Sequence, residues 1–275
     1  SNKVEVQVDA QAPSAPVIVN QSTNDTTPTI TGTAEAGSTI IMTVNGDDYQ
    51  TTTDSNGDWS ATVTNALPDD TYTVSATATD AALNVSTPGT GSLLIDATAP
   101  DAPTIDDLIT NDTTPEITGT AEAGSTVTIT VGTDVYTTTA TGDGNWTSIA
   151  TTDLAEGEYT VVATATDVLG NESVEATGSL EIDITAPADP VVTYVSATEL
   201  VGTATADIYV QVYRSNGTTQ VANTNADSSG DYTISFNPIR THNETLYVST
   251  FDDAGNESNK VEVQVDAQAP SAPVI

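Results

Sequence analysis

Residues 72–84 read Tyr-Thr-Val-Ser-Ala-Thr-Ala-Thr-Asp-Ala-Ala-Leu-Asn. Up to Thr79 the residues alternate. Tyr72, Val74, Ala76 and Ala78 fall on one side of an extended chain, and Thr73, Ser75, Thr77 and Thr79 on the other. That period of two is the mark of a strand with one buried face. The strand ends in a turn, Asp80–Asn84 (DAALN), and the turn returns as Asp167–Asn171 (DVLGN) and Asp252–Asn256 (DDAGN). A strand and turn that recur along one chain point to repeated small β domains.

Outward from this strand the other landmarks keep step. Asp9-Ala10-Gln11-Ala12-Pro13 recurs from Asp96, Asp183 and Asp266, at offsets of 87, 87 and 83 residues. Asn24–Pro28 matches Asn111–Pro115, and Gly32–Gly37 (GTAEAG) matches Gly119–Gly124. Asp54–Trp59 parallels Thr141–Trp146 and Asp227–Tyr232. The third repeat diverges, lacking both the Asn-Asp pair and the Glu-Ala-Gly. Ser1–Ile18 is letter for letter Ser258–Ile275, an offset of 257, so the larger unit is three domains of an array. The divisions expected are 1–9, the last strand of a preceding repeat; 10–96, 97–183 and 184–266, three domains; and 267–275, the start of another.

In the first domain strands are expected at 17–20, 29–34, 38–44, 49–53, 59–64, 72–79 and 91–95, with Asn45-Gly46 as a hairpin turn. Seven strands in under 90 residues predict an all-β chain of tandem, seven-stranded, immunoglobulin-like Greek-key β-sandwiches in an elongated array. Trp59, Trp146 and Tyr232 open the fifth strand of each domain, and Tyr72 and Tyr159 the sixth. They read as core anchors rather than as sugar-stacking platforms.

Charge narrows the function. Four basic residues face 39 acidic ones, a net charge of −35, and no Lys or Arg lies between Lys3 and Arg214. Nucleic acid and anionic lipid both need cationic partners, so neither is expected. The first two domains have nothing with which to form salt bridges. Solubility of a long polymer accounts for many of the carboxylates; a divalent cation is the obvious partner for the rest, and hard oxygen ligands favour calcium. No apolar run is long enough for a membrane helix.

Strand direction sends the incoming linker, with the second-to-third, fourth-to-fifth and sixth-to-seventh strand loops, to one pole of each sandwich. There the sequence predicts convergence of Asp9, Glu35 and Asp80 in the first domain and of Asp96, Glu122 and Asp167 in the second. Asp183 and Asp252 are the counterparts in the third, where Thr205 replaces the glutamate and Asp207 is a substitute candidate. Calcium shared by linker and loops would lock each domain to its predecessor, and Ala-Pro linkers are already semi-stiff. Turn formation explains the same acids without an ion. It also explains Asn24-Asp25, Asn111-Asp112 and Asp69-Asp70 at the opposite pole, where a second cation site is the alternative.

As a set, the Asp-x-Thr/Gln-Ala-Pro linker, the Asn-Asp-Thr-Thr-Pro and Gly-Thr-Ala-Glu-Ala-Gly segments and the Ala-Thr-Asp-x-x-Gly-Asn turn resemble the bacterial Ig-like repeats of giant biofilm-associated surface adhesins. The resemblance spans the chain. It implies an extracellular, cell-surface location, calcium between repeats, and a role as extender that holds a distal binding tip away from the cell, in adhesion and biofilm formation. Neighbouring repeats of the same chain are the partners implied, with a monomeric array and contacts to other adhesin copies left open.

Enzymatic activity is not expected. His242 is the single histidine, in a polar turn that reads as solvated, and there is no cysteine, so no repeated triad can form. A direct glycan-, receptor- or homophilic-binding module is the alternative to an extender, and a spacer in a large secreted polysaccharide hydrolase is a third reading. A binding module calls for an exposed aromatic or apolar patch.

Overall fold

The computed structural model describes residues 8–268. The expected first and last segments, 1–9 and 267–275, fall mostly outside them. The first domain contains β1 (Val17–Ile18), β2 (Gln21–Thr23), β3 (Thr29–Thr33), β4 (Thr39–Val44), β5 (Asp47–Thr52), β6 (Asp58–Thr62), β7 (Asp70–Thr79) and β8 (Gly89–Ile95). One sheet has the order β1-β3-β6 and the other β2-β8-β7-β4-β5. The chain is all-β, and the strand that opens the sequence reading is β7, pairing β4 on one side and β8 on the other.

The first strand differs from the expected continuous 17–20. It divides, with β1 antiparallel to β3 and β2 parallel to β8 in the opposite sheet. Asn20 sits at the crossover, and its Oδ1 accepts the Ser92 N–H at 2.8 Å. Gly91 leaves room beside it, since a Cβ there would lie 2.7 Å from Ile18 Cγ2.

The second domain repeats the plan with β9 (Leu108–Thr110), β10 (Glu116–Thr120), β11 (Thr126–Val131), β12 (Asp134–Thr139), β13 (Asn145–Ile149), β14 (Gly157–Thr166) and β15 (Ala176–Ile182). Asp107 takes Asn20's place, accepting the Ser179 N–H at 2.8 Å. The third has β16 (Val191–Val195), β17 (Glu199–Thr203), β18 (Tyr209–Arg214), β19 (Gln220–Asn225), β20 (Asp231–Ser235), β21 (Thr245–Phe251) and β22 (Val261–Gln264). Here the opening strand stays in one sheet, with a bulge between Val192 and Tyr194.

Each sandwich closes over its own core. Trp59, Trp146 and Tyr232 are buried, each directly opposite a glycine of the neighbouring strand: Gly32, Gly119 and Gly202. The ring lies across that glycine, so a Cβ on Gly119 would be 2.6 Å from Trp146 Cζ2 and 2.0 Å from the Thr104 carbonyl. This is why the sequence repeats a glycine at the start of Gly-Thr-Ala. Tyr72 and Tyr159 lie half-buried against the core, and their hydroxyls donate back four residues to Pro68 and Ala155 at 2.8 and 2.9 Å. That return bond is the tyrosine corner of this architecture.

The ion pairs found among the described residues all lie in the third domain. Arg240 is buried there with its guanidinium 5.6 Å from the Phe236 ring centre and 3.6 Å from Glu244 Oε1. Its N–H bonds Ala197 O as Leu67 bonds Thr26 O and Leu154 bonds Thr113 O, so the arginine fills a place that leucine fills in the other domains.

Candidate functional site

The candidate site is the joint where the linker enters each sandwich. The turn between β7 and β8 is built on Asp80, whose Oδ1 accepts the N–H groups of Ala82 and Asn84, both at 2.8 Å. Asn84 returns the contact: its Nδ2 donates to Asp80 Oδ2 at 2.8 Å and, at 3.3 Å, to the backbone carbonyl of Asp9 in the linker. One amide thus holds turn and linker together.

The same device recurs with a shorter bond to the linker carbonyl. Asn171 Nδ2 donates to Asp167 Oδ2 at 2.7 Å and to Asp96 O at 2.8 Å. Asn256 Nδ2 donates to Asp252 Oδ2 at 3.0 Å and to Asp183 O at 2.7 Å. The third domain, deviant in sequence, keeps the clamp intact.

These bonds set the protonation of the turn aspartates. The Asn84 amide, ahead of the backbone donors, holds the Asp80 carboxyl below its ordinary value. Burial pushes Asp167 up, yet the Asn171 amide and three backbone N–H groups outweigh it, and the net direction is down. Both aspartates are therefore anions at neutral pH.

The linker aspartates form turns of their own. Asp9, Asp96 and Asp183 accept through Oδ1 the N–H groups of Gln11, Thr98 and Thr185. From the preceding sandwich, Asp69 reaches the same linker, accepting Ala97 N–H at 2.8 Å and the Thr98 hydroxyl. Glu156 accepts the Thr185 hydroxyl at 2.8 Å. At the exit of the third domain His242 stands in Asp69's place, with Nδ1 accepting Ala267 N–H at 3.3 Å, so this histidine is engaged with the linker rather than solvated. The two linkers between described domains, at Asp96–Thr98 and Asp183–Thr185, are gripped from both sides.

The expected meeting of three carboxylates does not occur. Among the described residues no three acidic or imidazole side chains gather closely enough to share an ion. Glu35 and Glu122 are exposed, and it is their backbone carbonyls that work, accepting the hydroxyls of Ser38 and Ser125 at 2.7 Å. In the third domain Asp207 is a turn residue at φ 62, standing where the first two domains have Gly37 and Gly124 in the left-handed region. What the structure does bring together is linker backbone and turn carboxylate: the carbonyls of Asp9, Asp96 and Asp183 are bonded by the asparagines that also bond the carboxylates of Asp80, Asp167 and Asp252. Carboxylate and carbonyl oxygens are the donor chemistry a hard cation takes, completed by water.

At the opposite pole Asp25 and Asp112 accept the N–H and hydroxyl of Thr27 and Thr114, which is turn chemistry. Asn111 does more, since its N–H donates to Ala254 O of the third domain at 3.2 Å. Asn24 likewise meets the second domain, its Nδ2 lying 3.7 Å from the position a Cβ on Gly170 would take.

Residues 1–97 and 98–184 match the family model described as bacterial Ig-like domain, and 186–267 match a second, described as bacterial Ig domain. The chain belongs to the bacterial Ig-like domains. No curated protein matches it. Among solved structures, these bacterial Ig-like domains are similar to a Ca2+-stabilized adhesin that helps an Antarctic bacterium reach out and bind ice (24% identity, 94% of this chain and 75% of that one, TM-score 0.41). They are similar also to a tetra-tandem repeat in the extending region of a large adhesion protein (24%, 93% and 75%, 0.31) and to an I-band fragment of titin (12%, 94% and 100%, 0.39). Likeness at this level concerns the fold alone.

Sequence reasoning pointed to the linker and turn aspartates and missed the amide that joins them. Asn84, Asn171 and Asn256 were visible as the invariant end of each turn, three repeats out of three, which is the signal that distinguishes them from ordinary turn asparagines.

Proposed function

We propose that these domains form the extender region of a bacterial cell-surface adhesin, each joint held by the asparagine clamp and further stiffened by calcium. The observation that carries this reading is the clamp itself: in all three domains an asparagine of the sixth-to-seventh strand turn bonds the carbonyl of the incoming linker aspartate. A linker anchored at both ends resists bending, which a spacer needs and a catalyst or a flexible tether does not. The interior location of the aromatics agrees, since Trp59, Trp146 and Tyr232 offer no stacking face to a sugar.

Calcium would be held by Asp9 with Asp80, Asp96 with Asp167, and Asp183 with Asp252, supplemented by carbonyls and water, and would neutralise charge that otherwise repels across the joint. An extracellular surface location and support of adhesion and biofilm formation complete the proposal. Small-angle X-ray scattering with calorimetry tests it. In calcium the chain scatters as a rod of about 120 Å, three domains of about 33 Å each, from strands of roughly ten residues at about 3.3 Å per residue, plus the linkers between them. Chelator shortens it partially, because the clamps remain. A compact profile in both conditions would overturn the extender, and absence of any calcium heat would remove the ion.

A further inference from the structure

The joint turn of the first domain is apolar at two positions that are glycine and glutamate in the other two. Leu83 and Val85 stand where the second domain has Gly170 and Glu172 and the third Gly255 and Glu257. They are 80% and 56% exposed. Leu83 also holds φ 72, the left-handed region that Gly170 and Gly255 occupy at 92 and 90. A leucine is disfavoured there by its Cβ, so its side chain is kept in a costly, solvent-facing position.

The other two joints show what faces this position. A Cβ on Gly170 would lie 3.7 Å from Asn24 Nδ2, and one on Gly255 3.9 Å from Asn111 Nδ2, each in the preceding domain. Leu83 therefore projects toward whatever domain precedes the first. The sequence names it: Ser1–Ile18 and Ser258–Ile275 are identical, so the segment leading out of the third domain is the segment leading into the first.

The third domain's exit pole has changed in the matching sense. It lacks the Asn-Asp pair, having Val195-Ser196 just before Ala197, the counterpart of Thr26 and Thr113. Ile239, 67% exposed, stands just before Arg240, where Ala66 and Asp153 precede Leu67 and Leu154. The equivalence rests on the shared bonds of Arg240, Leu67 and Leu154 to their facing loops.

We propose that Leu83 and Val85 form the docking surface for the exit pole of a third-type domain, seated on Ile239, so that every third joint of the array is apolar. This rests on the array reading of the proposed function, but on neither adhesion nor calcium. Exposed apolar side chains on opposite faces of a tethered joint gain by leaving water together, and the left-handed leucine is then a positioned contact rather than a defect.

The test uses a chain of residues 1–257 followed by residues 1–275, which contains one junction of a third domain with a first. The protein has no cysteine, so a single Leu83→Cys reports its own surroundings. Placed in the second copy, it should react with a maleimide about tenfold or more slowly than the same substitution in the first copy, whose turn has no third domain before it. Adding Ile239→Asp in the first copy should restore fast labelling, while Ala66→Asp in the first copy should not. Near-ultraviolet circular dichroism identifies any variant that fails to fold, and Val85→Cys provides a second reporter. Equal labelling rates in the two copies would overturn the proposal, as would protection that depends on protein concentration, which assigns the patch to another chain. An elongated scattering profile alongside equal rates would sink the apolar joint while leaving the extender standing.

Discussion

Replacing Asn171 with alanine separates the clamp from the turn it belongs to. The side chain makes two bonds, to Asp167 Oδ2 at 2.7 Å and to Asp96 O at 2.8 Å, while the backbone bond from Asn171 N–H to Asp167 Oδ1 survives the change. A neutral bond contributes about 0.5–1.5 kcal/mol and one to a charged group about 1.5–3. The site is only partly buried, so the lower ends apply and the sum is about 2 kcal/mol. For a domain of 60–100 residues about 1 kcal/mol moves the midpoint by roughly 4–8 °C, so the second domain should melt about 8 °C or more lower. Scanning calorimetry of the whole chain reads this as a transition leaving the main envelope. The joint is read separately by 15N relaxation at Ala97 and Thr98, which should show faster, larger motion in Asn171→Ala. A lowered midpoint with unchanged relaxation would make Asn171 a turn residue and refute the clamp; an unchanged midpoint would refute both roles.

Other outcomes follow from the same geometry. Gly119→Ala forces a Cβ against Trp146 and the Thr104 carbonyl and should destabilise the second domain by about 1–3 kcal/mol in urea titration, whereas Gly124→Ala, with open space around its Cβ, pays only for its left-handed φ of 82. Asp54, Asp69, Asp80, Asp107 and Asp167 all have carboxyls lowered by donated hydrogen bonds. Their folded forms bind protons less readily than the unfolded chain, so their stabilisation is whole above the ordinary 3.8 and is lost as pH falls through the lower folded values. The net charge of −35 acts oppositely, repelling at neutral pH, so the melting temperature should rise from pH 7 to about 5 and drop steeply below 3.8. Arg240→Leu supplies the residue found at Leu67 and Leu154 but leaves the Glu244 carboxylate with Arg214 alone, at 3.8 Å, so it should destabilise the third domain, by less than the about 3–5 kcal/mol of a fully buried pair; a gain in urea titration would show that burial of the arginine outweighs its pairing.

The fold was legible because its determinants are local. Alternation in 72–79 fixes which face of β7 is buried, and the glycine and aromatic that face each other across β3 and β6 recur in register. The split of the first strand was not legible, because Asn20 and Asp107 look like loop residues until the partner strand supplies the N–H groups of Ser92 and Ser179, 72 residues away. The joint was half legible. Charge and spacing drew Asp9, Glu35 and Asp80 into one site, but the direction in which Glu35 points depends on a turn whose carbonyl, not carboxylate, is the used group. A carboxylate announces itself in a sequence by charge; a neutral amide that bridges two backbone segments announces itself only by recurrence.

That neutrality is what an acidic chain requires. Between residues 4 and 213 there is no lysine or arginine, so a joint held by ion pairs cannot exist there, and every side-chain donor must be an amide, a hydroxyl or an indole. An amide to a backbone carbonyl is also indifferent to salt, where an ion pair weakens as screening grows. On the proposed reading the clamp gives each joint a floor of rigidity that does not depend on ionic conditions, to which a bound cation would add. The third domain tests the logic from the other side: its cations pair within the domain itself, with Arg240 and Arg214 at Glu244 and Lys260 at Glu257, while its joint keeps the asparagine. Where charge pairs became available, they were added to the domain and the amide at the joint was not replaced.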